Sequence, residues 1–492
     1  MSSPTSWTRT VLIAIALVTG CITNVDVGQS ELTNYPERQS VLGSFFGSAR
    51  TAFADLNTDG YDDLVVWTHG AQAWWGNDGG LEEPPSVYVY YGSAAGLPRT
   101  LGPDDADVSL SARDGEWIST IVVQDIDEDG AADLVVHAPI TSSGDHNRYP
   151  AFPGRYLPEG EGSVYVVSGG TTWTSGTLEA MGHRTATYRT GEDVVLRTPY
   201  PHVDLDGVAG AEFLTRSYYE SGVADQIFVR SLETGEVRAT LSASSPYGTL
   251  QPRAIYDYDG DGHDDVVALY GRAEVADEFH PEQWQEFGLA IFLGPIDGDR
   301  VEGDENTIST QLVRVPPSVF DHVYGGYVRE GDVRVAVGLF TPDDDRLDML
   351  MVSDSGQGYV IKGNDAVADT FPPRAAGVEG TFWTSAGELE SVQHVPAASG
   401  APIDRLLLVT THEVAIVSPR LGGTAEYPRA EPVVHASIDL TDQPAAHWWR
   451  YTVGGASFGD IDGDGKLDVA LGTGRQPDQE DTRVHVLYGF GG

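Results

Sequence analysis

Short apolar runs recur along the chain, and four of them come directly after an acidic stretch: 64–66, 134–136, 266–268 and 469–471. Other segments alternate apolar and polar residues with the two-residue period of a β-strand. These alternating segments lie at 86–92, 163–169, 226–230, 288–294, 358–363, 413–417 and 483–489. No long stretch has the helical period of about 3.6 residues. The pattern predicts an all-β chain of short strands joined by turns.

The four acidic stretches share one arrangement of oxygen-bearing side chains. Asp or Asn stands at the first, third, fifth and ninth positions, and glycine stands at the sixth. Calcium takes about six to eight oxygen ligands, and this alternation lets one short loop supply most of them, with a backbone carbonyl at the seventh position. The predicted side-chain ligands are Asp55, Asn57, Asp59 and Asp63 in loop 1 (55–63), Asp125, Asp127, Asp129 and Asp133 in loop 2 (125–133), Asp257, Asp259, Asp261 and Asp265 in loop 3 (257–265), and Asp460, Asp462, Asp464 and Asp468 in loop 4 (460–468). The predicted carbonyl donors are Tyr61, Ala131, His263 and Lys466. The sequence therefore predicts about four bound Ca2+ ions.

An EF-hand is the main alternative for these loops. It needs Glu at the twelfth position and a helix after the loop. The twelfth residues are instead Val66, Val136, Ala268 and Leu471, and the residues around them favour strands. Acidic residues also form turns without a metal, but four loops with the same five positions filled favour metal binding. Because every ligand comes from one loop, the predicted role of the cation is to stabilise the fold.

The loops begin at residues 55, 125, 257 and 460. Their separations are close to one, two and three times a period of roughly 68 residues, which is typical of repeat architectures. Degenerate copies are predicted at 202–213, 340–350 and 401–409. The first keeps Asp204 and Asp206 but has Gly210 at its ninth position, the second is shortened around Asp344, and the third keeps only Asp404. All three are expected to be metal-free turns.

Seven loops alternate with seven strand-like segments along the chain. This organisation predicts a seven-bladed β-propeller with about four strands per blade. A propeller must join its first and last blades, and the chain ends almost directly after the segment 483–489. Residues 40–52 are therefore predicted to supply a strand to the last blade.

The loops, the apolar run after each and the phrase LVVHAP at 134–139 resemble the FG-GAP/VCBS repeats of integrin α-subunit propellers and of bacterial surface proteins. Phe45-Phe46-Gly47 and Phe458-Gly459 resemble the FG element of that family. The resemblance extends over nearly all of 44–492, the predicted propeller domain. It implies the propeller fold and calcium in loops 1 to 4, where the side chains at the first, third, fifth and ninth positions match the family pattern.

The amino terminus has the features of an export signal. Arg9 precedes an apolar run at 11–18, which is too short to span a bilayer. Cys21, the only cysteine of the chain, follows Val18-Thr19-Gly20 in a pattern that resembles a bacterial lipoprotein signal. We therefore predict a signal peptide at 1–20, lipidation of Cys21 and a flexible tether at 21–43. The lipid would be the only attachment to a membrane. Ile22 after the cysteine favours the outer membrane of a bacterial envelope, and a plain secretory signal is the alternative.

The formal net charge of -45 at pH 7 narrows the classes of partner. It argues against a nucleic-acid-binding surface, which needs a basic face. No HExxH, GxSxG or P-loop motif is present, so no catalytic residue is predicted, and the chain is predicted not to be an enzyme.

The function predicted from the sequence is that of a calcium-stabilised binding or adhesion module of the cell envelope, for an extracellular protein or carbohydrate. The alternatives are a polysaccharide-degrading enzyme on a propeller scaffold and a purely architectural envelope protein. A more specific hypothesis places His69, Trp74-Trp75, His137 and His146 in one aromatic, sugar-accepting patch.

Overall fold

A computed structural model describes the chain from Arg38 onward, with gaps. The described residues are 38–45, 49–68, 85–113, 116, 118, 120–127, 129–138, 162–170, 173–188, 192–194, 204–208, 211–217, 226–244, 249–273, 284–302, 307–311, 333–341, 346–353, 357–361, 378–382, 389–397, 403–410, 413–419, 423–424, 427–428, 432–439, 453–473 and 482–490. The predicted signal peptide, Cys21 and most of the predicted tether lie outside them. Among the described residues, no helix is long and apolar enough to cross a membrane.

The described residues form an all-β β-propeller. Their helices are a 3-10 turn (Pro103–Asp105) and α1 (Leu178–Met181). The strands are β1 (Gln39–Phe45), β2 (Ala49–Ala54), β3 (Asp63–Thr68), β4 (Ser86–Tyr90), β5 (Thr100–Leu101), β6 (Val108–Ser111), β7 (Thr120–Gln124), β8 (Asp133–Ala138), β9 (Gly162–Val167), β10 (Gly176–Thr177), β11 (His183–Tyr188), β12 (Glu192–Val194), β13 (Glu212–Ser217), β14 (Gln226–Ser231), β15 (Val237–Ser242), β16 (Thr249–Tyr256), β17 (Asp265–Ala273), β18 (Trp284–Phe292), β19 (Arg300–Val301), β20 (Thr307–Gln311), β21 (Val333–Gly338), β22 (Asp348–Ser353), β23 (Gln357–Ile361), β24 (Val378–Phe382), β25 (Leu389–Val395), β26 (Arg405–Thr410), β27 (Glu413–Ser418), β28 (Gly423–Thr424), β29 (Tyr427–Pro428), β30 (Val433–Asp439), β31 (Val453–Gly459), β32 (Asp468–Thr473) and β33 (Thr482–Leu487).

These strands make seven sheets of four or five strands and one two-stranded ribbon. The sheet orders are β2-β3-β4-β6-β10, β7-β8-β9-β11, β12-β13-β14-β15-β19, β16-β17-β18-β20, β21-β22-β23-β24, β25-β26-β27-β30 and β31-β32-β33-β1-β5. In each sheet, one loop leads from the first strand to the second. All seven alternating segments predicted from the sequence are confirmed as third strands, namely β4, β9, β14, β18, β23, β27 and β33.

The second strand of each sheet explains the apolar runs that follow the loops. It lies inside the sheet, and its two faces pack against neighbouring sheets, so successive side chains are buried whichever way they point. Every residue of β3 and of β8 is buried. The third strand can alternate instead, as β14 does, with every second residue buried.

Consecutive sheets contact one another around a ring. The first strands β31, β2 and β7 lie side by side, as do β16, β21 and β25, and β26 contacts β31. An apolar cluster with Val135 on one side and Phe213 on the other joins the second sheet to the third. A further cluster joins the third to the fourth. The sheet at the end of the chain therefore packs against the sheet at its start.

The ring is closed by strand β1. It pairs antiparallel with β33, with Gln39 opposite Leu487 and Phe45 opposite Thr482, while β2 belongs to the first sheet. The prediction that residues near 40–52 complete the last sheet is confirmed in its essential part, since the first half of that segment does so. One boundary needs correction: β1 begins at Gln39, so the predicted tether 21–43 runs too far and the folded region starts before residue 44.

Candidate metal centre

The four loops share one hydrogen-bonding frame. The first-position carboxylate accepts two backbone N–H groups from the turn. In loop 2, Asp129 N donates to Asp125 Oδ1 over 3.0 Å and Gly130 N donates to Asp125 Oδ2 over 2.9 Å. Loops 1, 3 and 4 repeat both bonds within 0.1 Å. The sixth residue has positive φ in every loop, for example 90° at Gly130, which is why glycine stands there.

The side-chain oxygens of the loops are close enough to share one ion. The ligand atoms of the first, third and ninth residues lie within 4.8 Å of one another in loops 2 and 3, and those of the first, third and fifth residues do so in loop 4. Loop 1 has the same frame with Asn57 at its third position. A set of carboxylate and carbonyl oxygens fits a hard cation such as Ca2+ and suits soft thiophilic metals poorly.

The ninth-position acid has a second role that the sequence did not reveal. It is buried, and each of its oxygens accepts a backbone N–H. Asp133 is 1% exposed, and it accepts Ile126 N at 2.8 Å and Gly169 N at 2.7 Å. The first bond holds the start of the loop, and the second holds the turn after the third strand. Loops 1, 3 and 4 make the same pair of bonds.

Burial has a clear electrostatic effect on these acids. Desolvation raises the pKa of Asp63, Asp265 and Asp468 to about 7, although the two backbone N–H bonds act in the opposite direction. It raises the pKa of Asp133 in the same way. A nearby cation would favour the charged form of each group. The fold therefore holds four carboxylates where a positive charge is favourable.

An Asp or Glu is the first residue of the second strand in six of the seven sheets, and in the remaining sheet Asp404 directly precedes β26. The three degenerate units supply Glu212, Asp348 and Asp404, which are 7%, 0% and 7% exposed. Each accepts a backbone N–H from the start of its own loop, donated by Leu205, Thr341 and Ala397 respectively. The acid is thus retained where other ligand positions are lost. The sequence signal was available, because an acid lies within two residues of the start of each apolar run.

The degenerate unit at 202–213 needs a corrected register. The bond from Leu205 N to Glu212 Oε2, at 3.0 Å, is the equivalent of the second-to-ninth bond in the intact loops. Asp204 is therefore the first position, Asp206 the third and Glu212 the ninth. Gly210 does not occupy the ninth position, as the sequence had suggested. In the unit at 340–350, Asp344 lies outside the described residues.

Neighbouring loops are hydrogen-bonded to each other. Asp62 N donates to the carbonyl of Asp460 at 3.1 Å, and Asp460 N donates to Asp62 Oδ2 at 2.7 Å. Between loops 1 and 2, Ala132 N donates to the carbonyl of Asp55 at 3.4 Å. These contacts place the loops of consecutive sheets along the same end of the propeller. A cation bound in one loop would stabilise the contacts of the next.

Two cationic side chains contact loop 4. Lys466 Nζ lies 2.7 Å from Asp464 Oδ2, and this bond lowers the pKa of Asp464. Arg38 Nη1 lies 3.8 Å from Asp462 Oδ2. Arg38 also donates to the carbonyl of Leu97 at 2.9 Å and lies over the ring of Tyr488 at 4.3 Å. Loop 4 is thus in contact with the residue that precedes the closing strand.

His137 does not belong to the aromatic, sugar-accepting patch predicted from the sequence. His137 lies within β8, is 2% exposed, and has a pKa lowered to about 3 by burial. It is a core residue, because the apolar strand continues through it. His69, Trp74, Trp75 and His146 lie outside the described residues.

Comparisons with known proteins agree with the repeat pattern. Residues 453–487, which comprise β31, loop 4, β32 and β33, match the FG-GAP repeat family. Integrin alpha-4 of Xenopus laevis is 35% identical over 129 residues, which is 26% of this chain and 10% of that protein. Integrin alpha-3 of Cricetulus griseus is 33% identical over 126 residues, which is 25% of this chain and 11% of that protein.

A second group of relatives carries an enzyme name. Phosphatidylinositol-glycan-specific phospholipase D of Rattus norvegicus is 38% identical over 101 residues, 19% of this chain and 11% of that protein. The crystal structure of BBS1N in complex with ARL6DN, soaked with mercury, aligns with 90% of this chain and 94% of that chain at 9% identity, with a TM-score of 0.41. The chain spans about a tenth of the length of the curated relatives named here. The FG-GAP repeat at 453–487 and the similarity to two integrin α subunits together support the FG-GAP β-propeller family for this chain.

Proposed function

We propose that the chain is a seven-bladed, calcium-stabilised propeller that serves as a binding or adhesion module for an extracellular protein or carbohydrate. The observation that carries the proposal is the common frame of loops 1 to 4. In each of them, carboxylates converge while backbone N–H groups fix their orientation. The count of seven is supported by the seven sheets of four or five strands and by their contacts around the ring.

Calcium would act on stability rather than on chemistry. The side chains at the first, third, fifth and ninth positions, with the carbonyl at the seventh, would hold one ion in each loop, about four in all. A ligand that binds only the folded form adds about 2.7 kcal/mol per site when its free concentration is 100 times its dissociation constant. Because neighbouring loops are hydrogen-bonded, the ions together would stiffen one end of the propeller.

That stiffened end is the proposed binding surface. Binding residues concentrate on loops that a rigid scaffold positions, and the metal loops provide such support here. The match to proteins named integrin alpha favours binding over catalysis. The phospholipase D match covers 11% of that enzyme, so its named activity does not transfer with the repeat. Export, lipidation of Cys21 and attachment to a bacterial outer membrane remain part of the proposal and rest on the amino-terminal sequence.

The first experiment is a calcium titration of the chelator-stripped protein by calorimetry, with thermal melting in parallel. We expect about four ions per chain from loops 1 to 4 and a higher melting temperature with calcium. Absence of calcium binding would refute the metal assignment. Binding of the calcium-loaded protein to panels of immobilised extracellular proteins and polysaccharides then tests the module. Release of reducing sugar from a polysaccharide would favour the enzyme alternative instead.

A further inference from the structure

The outer edges of several sheets are covered by chain from the following sheet. Three sheets carry a short fifth strand parallel to their fourth: β10 on β6, β19 on β15 and β5 on β1. Each fifth strand belongs to the link between the third and fourth strands of the following sheet. The ribbon of β28 and β29, in the link between β27 and β30, also contacts the outer strand β24 of the fifth sheet. Such a link pairs with backbone groups that a bare edge strand leaves free.

The three fifth strands share one register. In each link, the residue seven positions before the first residue of the fourth strand pairs with a leucine of the preceding sheet. The pairs are Leu101 with Leu42, Gly176 with Leu110 and Arg300 with Leu241. All three of those leucines are 0% exposed, and each belongs to the apolar cluster that its sheet shares with the following sheet. The same spacing and the same partner position in three sheets show that this pairing is a regular feature of the chain.

The links also satisfy the backbone N–H group next to each leucine. The donors and acceptors are Ser109 N to Ser175 Oγ at 3.0 Å, Thr240 N to Asp299 Oδ1 at 2.9 Å, and Val41 N to the carbonyl of Arg99 at 2.9 Å. In the first two bonds, the acceptor lies eight positions before the fourth strand of its own sheet. Alternate N–H groups of an edge strand face away from their own sheet, so the link supplies the partner that the sheet cannot.

The sixth sheet has no fifth strand among the described residues, where β30 is its last strand. Ile438 occupies the leucine position, because it pairs with Val414 of the third strand as Leu110 pairs with Val87. It is 3% exposed and belongs to the apolar cluster shared with the seventh sheet. The preceding residue, Ser437, is exposed. No link joins the third and fourth strands of the seventh sheet, because β33 and β1 are far apart in sequence.

The segment immediately before β1 stands in the place of that link. Tyr488, directly after β33, donates its N–H to the carbonyl of Arg38 at 3.1 Å. In the first sheet, Tyr91 directly after β4 donates its N–H to Asp107 Oδ2 at 2.8 Å. Arg38 and Asp107 each directly precede the fourth strand. The chain before Arg38 therefore approaches its strand from the position where the link of the first sheet ends.

We propose that residues 31–33 form the fifth strand of the sixth sheet, parallel to β30. Leu32 lies seven positions before Gln39, which places it opposite Ile438. Glu31 lies eight positions before Gln39, and its carboxylate accepts the N–H of Ser437 as Asp299 accepts that of Thr240. The predicted flexible tether is then reduced to the residues before Glu31. The proposal goes beyond the proposed function and uses neither its metal sites nor its ligand.

Disulfide trapping in the full chain tests the register, with Cys21→Ser as the background. Glu31→Cys/Ser437→Cys should form an intrachain disulfide under mild oxidation, because the two residues face each other on strands about 4.8 Å apart. The matched control is Glu31→Cys/Glu233→Cys, whose second cysteine lies at an exposed position between β14 and β15, and it should stay reduced. No disulfide in the first pair, or equal yields in both, would overturn the proposal. Disulfide-linked dimers of the first pair would assign the edge to a second copy instead and would also overturn it.

Hydrogen exchange supplies a second readout on the calcium-loaded protein. The amide of Ser437 should exchange at least about tenfold more slowly in the parent than in Leu32→Pro/Thr33→Pro, because proline has no N–H to donate to the ladder. Gly28→Pro/Gln29→Pro, outside the proposed strand, is the control and should keep the parental rate. Equal exchange in the parent and in Leu32→Pro/Thr33→Pro would refute the proposal. A calcium titration without binding would refute the metal sites and leave both of these tests unaffected.

Discussion

The double role of the ninth-position acid can be tested in loop 2 without any metal. Asp133→Asn removes a carboxylate whose two oxygens accept Ile126 N at 2.8 Å and Gly169 N at 2.7 Å. Asparagine keeps one oxygen and turns its amide group toward the second N–H. One bond to a charged acceptor is lost, which is worth about 1.5–3 kcal/mol. Relief of a buried charge offsets part of this, because burial already raises the pKa of Asp133.

We therefore expect Asp133→Asn to lower the free energy of unfolding by about 2 kcal/mol in chelator. The matched control is Asp127→Asn in the same loop. Asp127 is exposed and accepts one N–H, from Asp129 at 3.2 Å. Without metal, Asp127→Asn should therefore lower the free energy of unfolding by at most about 0.5 kcal/mol. The assay is calorimetric melting at pH 8 in a calcium chelator, repeated with calcium. With calcium, both variants should lose stability relative to the parent. Equal melting of the two variants in chelator would refute the structural role of Asp133.

Three further predictions concern the frame around the loops. A Cβ at Gly169 would lie 2.3 Å from a backbone carbonyl oxygen, whereas a Cβ at Gly176 would meet nothing within 4 Å. Gly169→Ala should therefore lower the melting temperature and Gly176→Ala should not, and a neutral Gly169→Ala would contradict the required close approach. His485 is 1% exposed, and burial lowers its pKa from 6.5 to about 4. Between about pH 6.5 and 4, the unfolded chain binds a proton at this imidazole and the folded chain does not. The free energy of unfolding therefore decreases by up to about 3 kcal/mol as the pH falls through this window. His485→Leu should reduce the slope of melting temperature against pH in this window, and an unchanged slope would count against the neutral buried form. Arg38→Gln should lower the melting temperature in chelator and raise the calcium affinity of loop 4 several-fold, because the guanidinium lies 3.8 Å from Asp462. Lower affinity in a titration would show that Arg38 supports that site instead.

The local part of this structure could be predicted from the sequence. The strands β4, β9 and β33 follow from alternation over a few residues, because a strand places successive side chains on opposite faces. The frame of loops 1 to 4 follows from the spacing of oxygen ligands and from a glycine that must adopt positive φ. The closing strand could also be predicted, because a propeller must join its first and last sheets and the last sheet needed one more strand.

Other features depended on chain segments that are distant in sequence. Glu212 became the ninth-position acid only when Leu205 N was seen to donate to it, because spacing alone aligned Gly210 there. His137 has the polar side chain of a site residue, yet β8 is covered on both faces, which makes it part of the core.

The sequence by itself determined the strands, the spacing of the metal loops and the alternation of loops with strands, because each depends on residues within one short segment. Only the tertiary structure decided which acids also support the backbone and how neighbouring loops join. It also decided the register of the closing strand, with Gln39 opposite Leu487, since β1 and β33 lie at opposite ends of the sequence. Burial and hydrogen-bond partners depend on neighbours that the ring of sheets brings together, and local patterns do not contain that information.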